Sequence, residues 1–320
     1  MAETFIDEIE TLLNRDLPEE ERIPLIEKFR KMYETMDFYV LYNRFLKKEG
    51  YQTLPRRPLE KRKLRYEDVY PILYLKYRLS RQAERSNIKH LVIDEMQDYS
   101  LLQYLIIRRM FSCKMTILGD RAQTMADQQQ DVLQFLPGIF GKDLRRIEMR
   151  KSYRNTVEIA SYAANLIGVT DLELFERHGM PVLERDVTDL EAALREAVDT
   201  LLPDEKTYET AAVIVPDEKT AERAYLILRG ILAEKDFDCG KRLSWLNRDS
   251  SSFKKGLTVT TFYLAKGLEF DQVFSIFPKD EKREIMMQAQ YIAATRALHE
   301  LRVYHNLKTR EILPKKFDWI

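Results

Sequence analysis

The sequence predicts an α/β protein built of parallel sheets flanked by helices. Short apolar runs at Leu91–Ile93, Met115–Gly119 and Ala211–Val215 have the composition of buried strands, and Leu257–Thr261 and Gln272–Phe277 also read as strands. Stretches of helical period separate most of them, the rhythm of parallel strands joined by crossover helices. A chain of 320 residues, 45% of them hydrophobic, is long enough for one large or two ordinary domains with substantial cores.

Taken in order, residues 1 to about 63 read as helical, with amphipathic stretches over Phe5–Leu13 and Ile23–Leu46 and no strand-like run, and so form an arm or insert. Arg56, Arg57, Lys61, Arg62, Lys63 and Arg65 follow as a basic cluster broken by Pro55 and Pro58, which fits a solvated linker better than a helix interior. A helix from Tyr66 to about Arg85 leads into the Leu91–Ile93 strand. Leu101–Met110 is an apolar-faced helix, Met115–Gly119 the second buried strand and Leu144–Met149 a further one. A helix begins after Arg154 and carries Val157, Ile159, Ala160, Ala163 and Ile167. Residues 170–205 are acid-rich and mostly helical in pattern, and Ala211–Val215 is a strand stopped by Pro216. Ala221–Leu232 is helical, and the polar segment from Asp236 to Lys255 reads as a loop. Ile285–Leu298 is a helix and Leu301–Tyr304 a last strand, so the strands make up two sheets.

Charge narrows the function classes. The 52 basic and 52 acidic side chains cancel, so no whole-molecule field draws the chain to nucleic acid or membrane, and any polyanion site is local. No long uncharged apolar run and no charged-then-apolar leader is present, which indicates neither membrane spanning nor secretion. Cys113 and Cys239 lie far apart and suit a reducing, cytoplasmic setting. The four histidines are scattered without zinc-ligand spacing.

The chemistry-bearing residues sit where the strands end. His90-Leu-Val-Ile-Asp-Glu-Met-Gln-Asp98 brings Asp94 and Glu95 to the carboxyl end of a strand, the edge at which open α/β sheets bind ligands. Two acids there suit Mg2+ and the phosphates it carries, or form a solvated acidic turn. Gly119-Asp-Arg-Ala-Gln123 follows the next strand, so neighbouring parallel strands would bring Asp120 and Gln123 beside the acid pair. Lys151-Ser-Tyr-Arg-Asn-Thr156 offers Ser152, Asn155 and Thr156 as caps of a helix start. Between the caps lie Tyr153, able to stack on a base, and Arg154, able to reach phosphate oxygens. Thr260 to Asp271 joins two strands through a Lys266-Gly267 turn flanked by Glu269 and Asp271. Gly267 permits close backbone approach, and Glu269 suits a ribose hydroxyl. Arg296, on the apolar Gln290–Leu298 segment, is either surface charge or an arginine finger.

In this order the segments 94–98, 119–123, 152–156, 261–271 and 291–297 resemble motifs II to VI of the UvrD/Rep-type superfamily 1 DNA helicases, with wording nearest the HelD, or helicase IV, branch. The resemblance covers about residues 64 to 310. It implies a helical arm over 1–63, a partial first RecA-like lobe over 64–150 and a complete second RecA-like lobe over 151–320. Asp94 and Glu95 would hold Mg2+, with Glu95 polarising the attacking water, and Gln123 would sense the γ-phosphate of ATP. Tyr153 would stack near the adenine, Glu269 would bind the ribose, and Arg154 and Arg296 would act as arginine fingers. Asp120, Lys266 and Gly267 would lie beside the nucleotide. The implied partners are single-stranded or partly duplex DNA, the missing half of the first lobe and, as an alternative, RNA polymerase.

Three departures qualify the resemblance. No Gly-x-x-x-x-Gly-Lys-Ser/Thr phosphate loop occurs, and Gly138-Ile-Phe-Gly-Lys-Asp143 has its glycines too close and lacks the hydroxyl residue. The chain by itself is therefore expected not to hydrolyse ATP. It is either a piece of a longer helicase or a descendant that has lost hydrolysis. Tyr263 stands where the family commonly carries a DNA-touching histidine, and tyrosine can also stack on a base. About a hundred residues separate Arg154 from Val259, too few for the large insertion of UvrD and Rep, which favours the HelD-like branch.

Overall fold

The computed structural model describes residues 2–31, 35, 37–79, 85, 87–124, 132–170, 173–204, 207–235, 238–250, 255–278 and 284–306. These form two units, one of residues up to 120 together with 132–145, the other of 121–124 together with residues from 146 onward.

The first unit is mainly helical. Helices α1 (Ala2–Leu13), α2 (Glu19–Lys31), α3 (Phe38–Lys48) and α4 (Tyr66–Leu79) precede strand β1 (His90–Ile93). Helix α5 (Leu101–Met110), strand β2 (Lys114–Ile117) and helix α6 (Val132–Phe140) follow. Of the expected Ile23–Leu46 helix, parts fall in α2 and α3, and residues 32–34 and 36 lie outside the described residues. The expected helix to Arg85 is seen as far as Leu79, and residues 80–84 are likewise outside.

The basic cluster contains two structural arginines, which a bare linker would not. Arg62 grips Asp37 through two hydrogen bonds of 2.9 and 2.6 Å and lies over the Tyr39 ring, while Asp37 caps α3. Arg65 donates to the buried Asp68 at 2.8 Å, and Tyr42 donates to the same carboxylate at 3.0 Å. Burial of Asp68 is tolerable because both donors compensate its lost hydration.

Strands β1 and β2 pair in parallel, with Ile93 beside Ile117. Leu91, Ile93 and Ile117 pack with Tyr104 of α5 and with Val132 and Leu136 of α6. The expectation of a strand buried on both faces fails here: Val92 is 60% exposed and Leu118 46%. Alternation along a strand sends Leu91 and Ile93 to the helix-covered face and Val92 to the other.

In the second unit the strands dominate. Strand β3 (Lys151–Ser152) pairs in parallel with β4 (Glu173–Leu174), and helix α7 (Val157–Ile167) lies between them in sequence. Strand β5 (Leu183–Val187), helix α8 (Leu190–Asp204), β6 (Thr210–Val215) and α9 (Glu218–Ala233) come next. They are followed by the short α10 (Cys239–Arg242), β7 (Leu243–Trp245), β8 (Gly256–Thr261), β9 (Phe270–Pro278), α11 (Glu284–Ala294) and β10 (Ala297–Asn306). These build a six-stranded, all-parallel sheet in the order β5-β10-β9-β6-β8-β7.

Its two faces are both covered. Ala211, Val213 and Val215 of β6 pack with α8 and α9, and Ala212 and Ile214 pack with α7 and α11. Every residue of β6 after Thr210 is buried, which explains why its sequence shows an uninterrupted apolar run.

Four further expectations are corrected. Leu144–Met149 forms no strand, and Ile147 and Met149 are 75% and 86% exposed, since an apolar pattern without a neighbour to pair with does not make a strand. The acid-rich 170–205 segment carries β4 and β5 ahead of its helix, because β5 pairs with the end of β10. Within 236–255 the structure has α10 and β7, the latter an edge strand on β8. The helix expected to run to Leu298 ends at Ala294, since residues from Ala297 onward pair with β9.

Candidate functional site

In the first unit the acid pair is assembled by local backbone geometry. Glu95 adopts a left-handed conformation at φ 51°, so the chain turns sharply out of β1. Its amide donates to Asp94 Oδ1 at 2.8 Å, leaving Asp94 exposed, and Gln97 Nε2 donates to Glu95 Oε2 at 2.5 Å.

The other end of the buried Gln97 amide accepts from the Asp120 backbone N–H at 3.1 Å. One glutamine thus ties the loop after β1 to the loop after β2, with Asp94, Glu95 and Asp120 at one sheet edge, while Gln123, expected there too, belongs to the second unit. Gly119 makes this approach possible. A Cβ there would lie 2.4 Å from Met96 Cγ, 2.5 Å from Gln97 Oε1 and 2.7 Å from the Met96 nitrogen. Sequence reasoning missed Gln97, although its place between the acids was a signal.

Two carboxylates fit Mg2+, which typically takes one or two protein carboxylates and fills its remaining positions with water and phosphate oxygens. Among the described residues no group of three or more His, Cys, Asp or Glu side chains could hold a metal ion. The near-miss 138–143 segment is no phosphate loop, because Gly138 lies inside α6.

In the second unit the expected residues occur in pairs. Arg296 is 1% exposed, in the turn between α11 and β10, where it donates to Gln123 Oε1 at 3.3 Å, Thr295 Oγ1 at 3.1 Å and the Ile292 carbonyl at 3.2 Å. It is therefore not surface charge. Arg154 is exposed and forms an ion pair of 2.6 Å with Glu269.

Asn155, which the sequence offered as a cap, instead donates to the carbonyls of Thr295 at 3.3 Å and Ala297 at 2.6 Å, holding the Arg296 turn. Thr156 is the cap of α7, accepting from the Ile159 amide. Arg177, also missed, donates to the carbonyls of Arg154 and Leu298, and so joins the Tyr153–Arg154 loop to β10.

Gly267 has φ 76°, and nothing lies within 4 Å of where its Cβ would be. Backbone handedness accounts for the glycine, with no close approach in this structure. Lys266 precedes it in the same turn. Asp271, at the far end of this segment, accepts from the Glu209 and Thr210 amides at 3.0 and 2.9 Å and fixes β9 against the start of β6. Tyr263, half-buried beyond β8, packs edge-on against Phe262 with the Arg248 guanidinium 6.0 Å above its ring. Burial pushes its phenol above the usual pKa.

Residues 3–125 match the family model of the UvrD/REP helicase N-terminal domain. The match begins among the first helices, well ahead of the segment whose motifs suggested the family. No curated protein matches the chain.

Three solved structures illustrate its similarities. The C-terminal domain of a possible DNA helicase from Lactobacillus plantarum is 24% identical over 48% of this chain and 88% of that one, with a TM-score of 0.37. The PRRSV helicase is 17% identical over 69% of this chain and 36% of its own, at 0.37. The Arterivirus nonstructural protein 10 helicase, in complex with DNA, is 14% identical over 72% and 42%, at 0.38. The chain thus spans less than half the length of each of the two viral helicases. No helix of the described residues is long and apolar enough to cross a membrane.

Proposed function

We propose that the chain is a portion of an ATP-dependent DNA helicase or translocase of the UvrD/HelD type, with part of a first RecA-like lobe and a whole second one. The observation that carries this is the linkage of Asp94, Glu95 and Asp120 through Gln97 at the carboxyl edge of two parallel strands.

Asp94 and Glu95 would hold Mg2+, which when bound with ATP supplies charge neutralisation to the phosphates. Glu95 takes the proton of the attacking water, and Gln97 keeps its carboxylate oriented by donating to one oxygen. Gln123 senses the terminal phosphate, while Arg154 and Arg296 stabilise charge that develops on the transferred group. Tyr153 stacks on the base, Glu269 accepts from the ribose, and Lys266, Gly267 and Asp120 lie beside the nucleotide. In the structure Arg154 is held by Glu269 and Arg296 by Gln123, so phosphate binding exchanges one set of partners for another. Tyr263 offers a stacking contact to a single DNA strand. Without a phosphate loop this chain does not hydrolyse ATP alone, and its arginines serve in trans or in a longer protein.

The test is ATP hydrolysis with and without single-stranded DNA, for this chain and for a version extended through a phosphate loop. DNA-stimulated hydrolysis only in the extended protein is expected. Glu95→Gln there should lower it by about 10²- to 10⁴-fold, the usual worth of a general base, while ATP binding persists. Full hydrolysis in that variant would remove Glu95 from the chemistry, and a folded extended protein without activity would remove the motor reading.

A further inference from the structure

Beside Arg154 and Glu269 lies an aromatic pair that sequence reasoning found only in half. Tyr153 and Phe175 have ring centroids 5.5 Å apart at an interplanar angle of 37°, yet they remain 59% and 45% exposed. The Lys151 ammonium lies 5.5 Å from the Tyr153 centroid and 5.8 Å from that of Phe175. Other rings are completely buried, as Tyr104, Phe262 and Phe270 are, or open, as Tyr51 and Tyr66 are, so exposure alone does not mark the pair and its charged neighbours do. Two adjacent rings left half open, with a cation over them, the Arg154 guanidinium next in the chain and the Glu269 carboxylate paired to that guanidinium, have the chemistry to receive a nucleobase and its sugar-phosphate.

The pair is held in place by more than its own contact. The Phe175 amide donates to the Ser152 carbonyl at 3.1 Å, continuing the β3–β4 ladder past its last paired residues. Two residues on, Arg177 donates from its amide to the Phe175 carbonyl at 2.7 Å, and its own carbonyl accepts from Val157 at 2.9 Å. The segment is then pinned to α7 by Glu158, which accepts from the Gly179 amide and from His178, each at 2.9 Å. Gly179 is needed there, since a Cβ would lie 2.6 Å from Thr156 Cγ2. The stretch from Glu173 to Gly179 is thus strapped along residues 151 to 158, and this places Phe175 against Tyr153.

We propose that Phe175 is a base-binding residue, forming with Tyr153 a two-ring platform on which the adenine of ATP stacks. This rests on the nucleotide reading above and names a residue which that reading did not include.

The test measures binding of ATP, inorganic tripolyphosphate and a deoxyadenosine oligonucleotide to the chain by titration calorimetry, for the unaltered protein and for Phe175→Ala, Phe175→Leu and Phe175→Tyr. Loss of one stacking partner is expected to weaken ATP roughly tenfold in the Ala and Leu variants, within the usual range for base–aromatic stacking, with tripolyphosphate unchanged. Phe175→Tyr, which keeps a ring, should bind ATP like the unaltered chain; it and Phe175→Leu also serve if the Ala variant does not fold. Undiminished ATP binding in the Leu variant would overturn the platform and leave the nucleotide reading intact. Equal weakening of ATP and tripolyphosphate would also overturn it, as would an effect confined to the oligonucleotide. An unaltered chain that binds no ATP would overturn the platform, since two open rings would then hold no base, and would leave the motor reading to hydrolysis by the extended protein.

Discussion

Val92 in β1 and Ile214 in β6 come from sequence runs that look alike, and their surroundings differ completely. Ile214 is fully buried in the middle of a six-stranded sheet, whereas Val92 is 60% exposed in a sheet of two strands. Alternation along each strand is the same; what differs is whether the second face has a cover. In β6 the odd-numbered residues meet α8 and α9 and the even-numbered ones α7 and α11, so no position is left for a polar side chain. In β1 only the face of Leu91 and Ile93 meets helices. An apolar run therefore reports the capacity to be buried twice, and the number of neighbouring layers decides whether that capacity is used.

The sharpest way to break this comparison is truncation at both sites. Ile214→Ala should cost about 2–5 kcal/mol through lost transfer energy and the cavity left behind. Val92→Ala should stay within about 0.5 kcal/mol, as expected of an exposed position. Chemical denaturation of the two variants measures both, and equal costs would mean that the open face of β1 is covered in solution.

An intermediate effect is expected at the loop junction of the first unit. Gly119→Ala drives a methyl group into the Met96 backbone and the Gln97 amide, at an overpacking cost of about 1–3 kcal/mol. It should also loosen the Gln97 bonds to Glu95 and Asp120. Denaturation together with amide chemical shifts of Gln97 and Asp120 would show this, and an unperturbed Asp120 amide would contradict the tight approach.

The smallest effect concerns the second unit and acid. Hydrogen bonding from His178, helped by backbone N–H groups including that of Gly179, holds the Glu158 carboxyl down at about 2. A carboxyl depressed in the folded state stabilises fully above its unfolded value of about 4.3, and that contribution fades as pH falls towards 2. The unaltered chain should therefore lose part of its thermal stability between about pH 4.5 and 2, and Glu158→Gln should lose less over the same window. Identical acid profiles for the two proteins would show that the clamp on the Glu173–Gly179 stretch does not depend on this charge.

Much of the architecture was legible before any coordinates. The parallel class, the strands around Val213, Val259 and Phe274, and the helices over Leu101–Met110 and Ala221–Leu232 follow from apolar runs and helical period, and the start of α7 from its cap Thr156, all local properties. Asp94, Glu95 and Asp120 could likewise be placed at one edge, because parallel pairing carries successive strand ends to the same side. Leu144–Met149 shows where this stops. Its apolar residues fit a strand as well as those of β2 do, but among the described residues no neighbour pairs with them. The edge strands β5 and β7 were missed for the converse reason, since β10 and β8 recruit segments whose own sequence pattern is weak.

For the site, the sequence by itself determined the residue types able to meet a nucleotide and their order along the chain. Only the tertiary structure decided which of them touch. It pairs Arg154 with Glu269 and buries Arg296 against Gln123, and it sets Phe175 beside Tyr153. These pairs span 22 to 173 positions of sequence. Contacts of such separation leave no periodicity or spacing behind, because they depend on how the strands and turns between them are stacked.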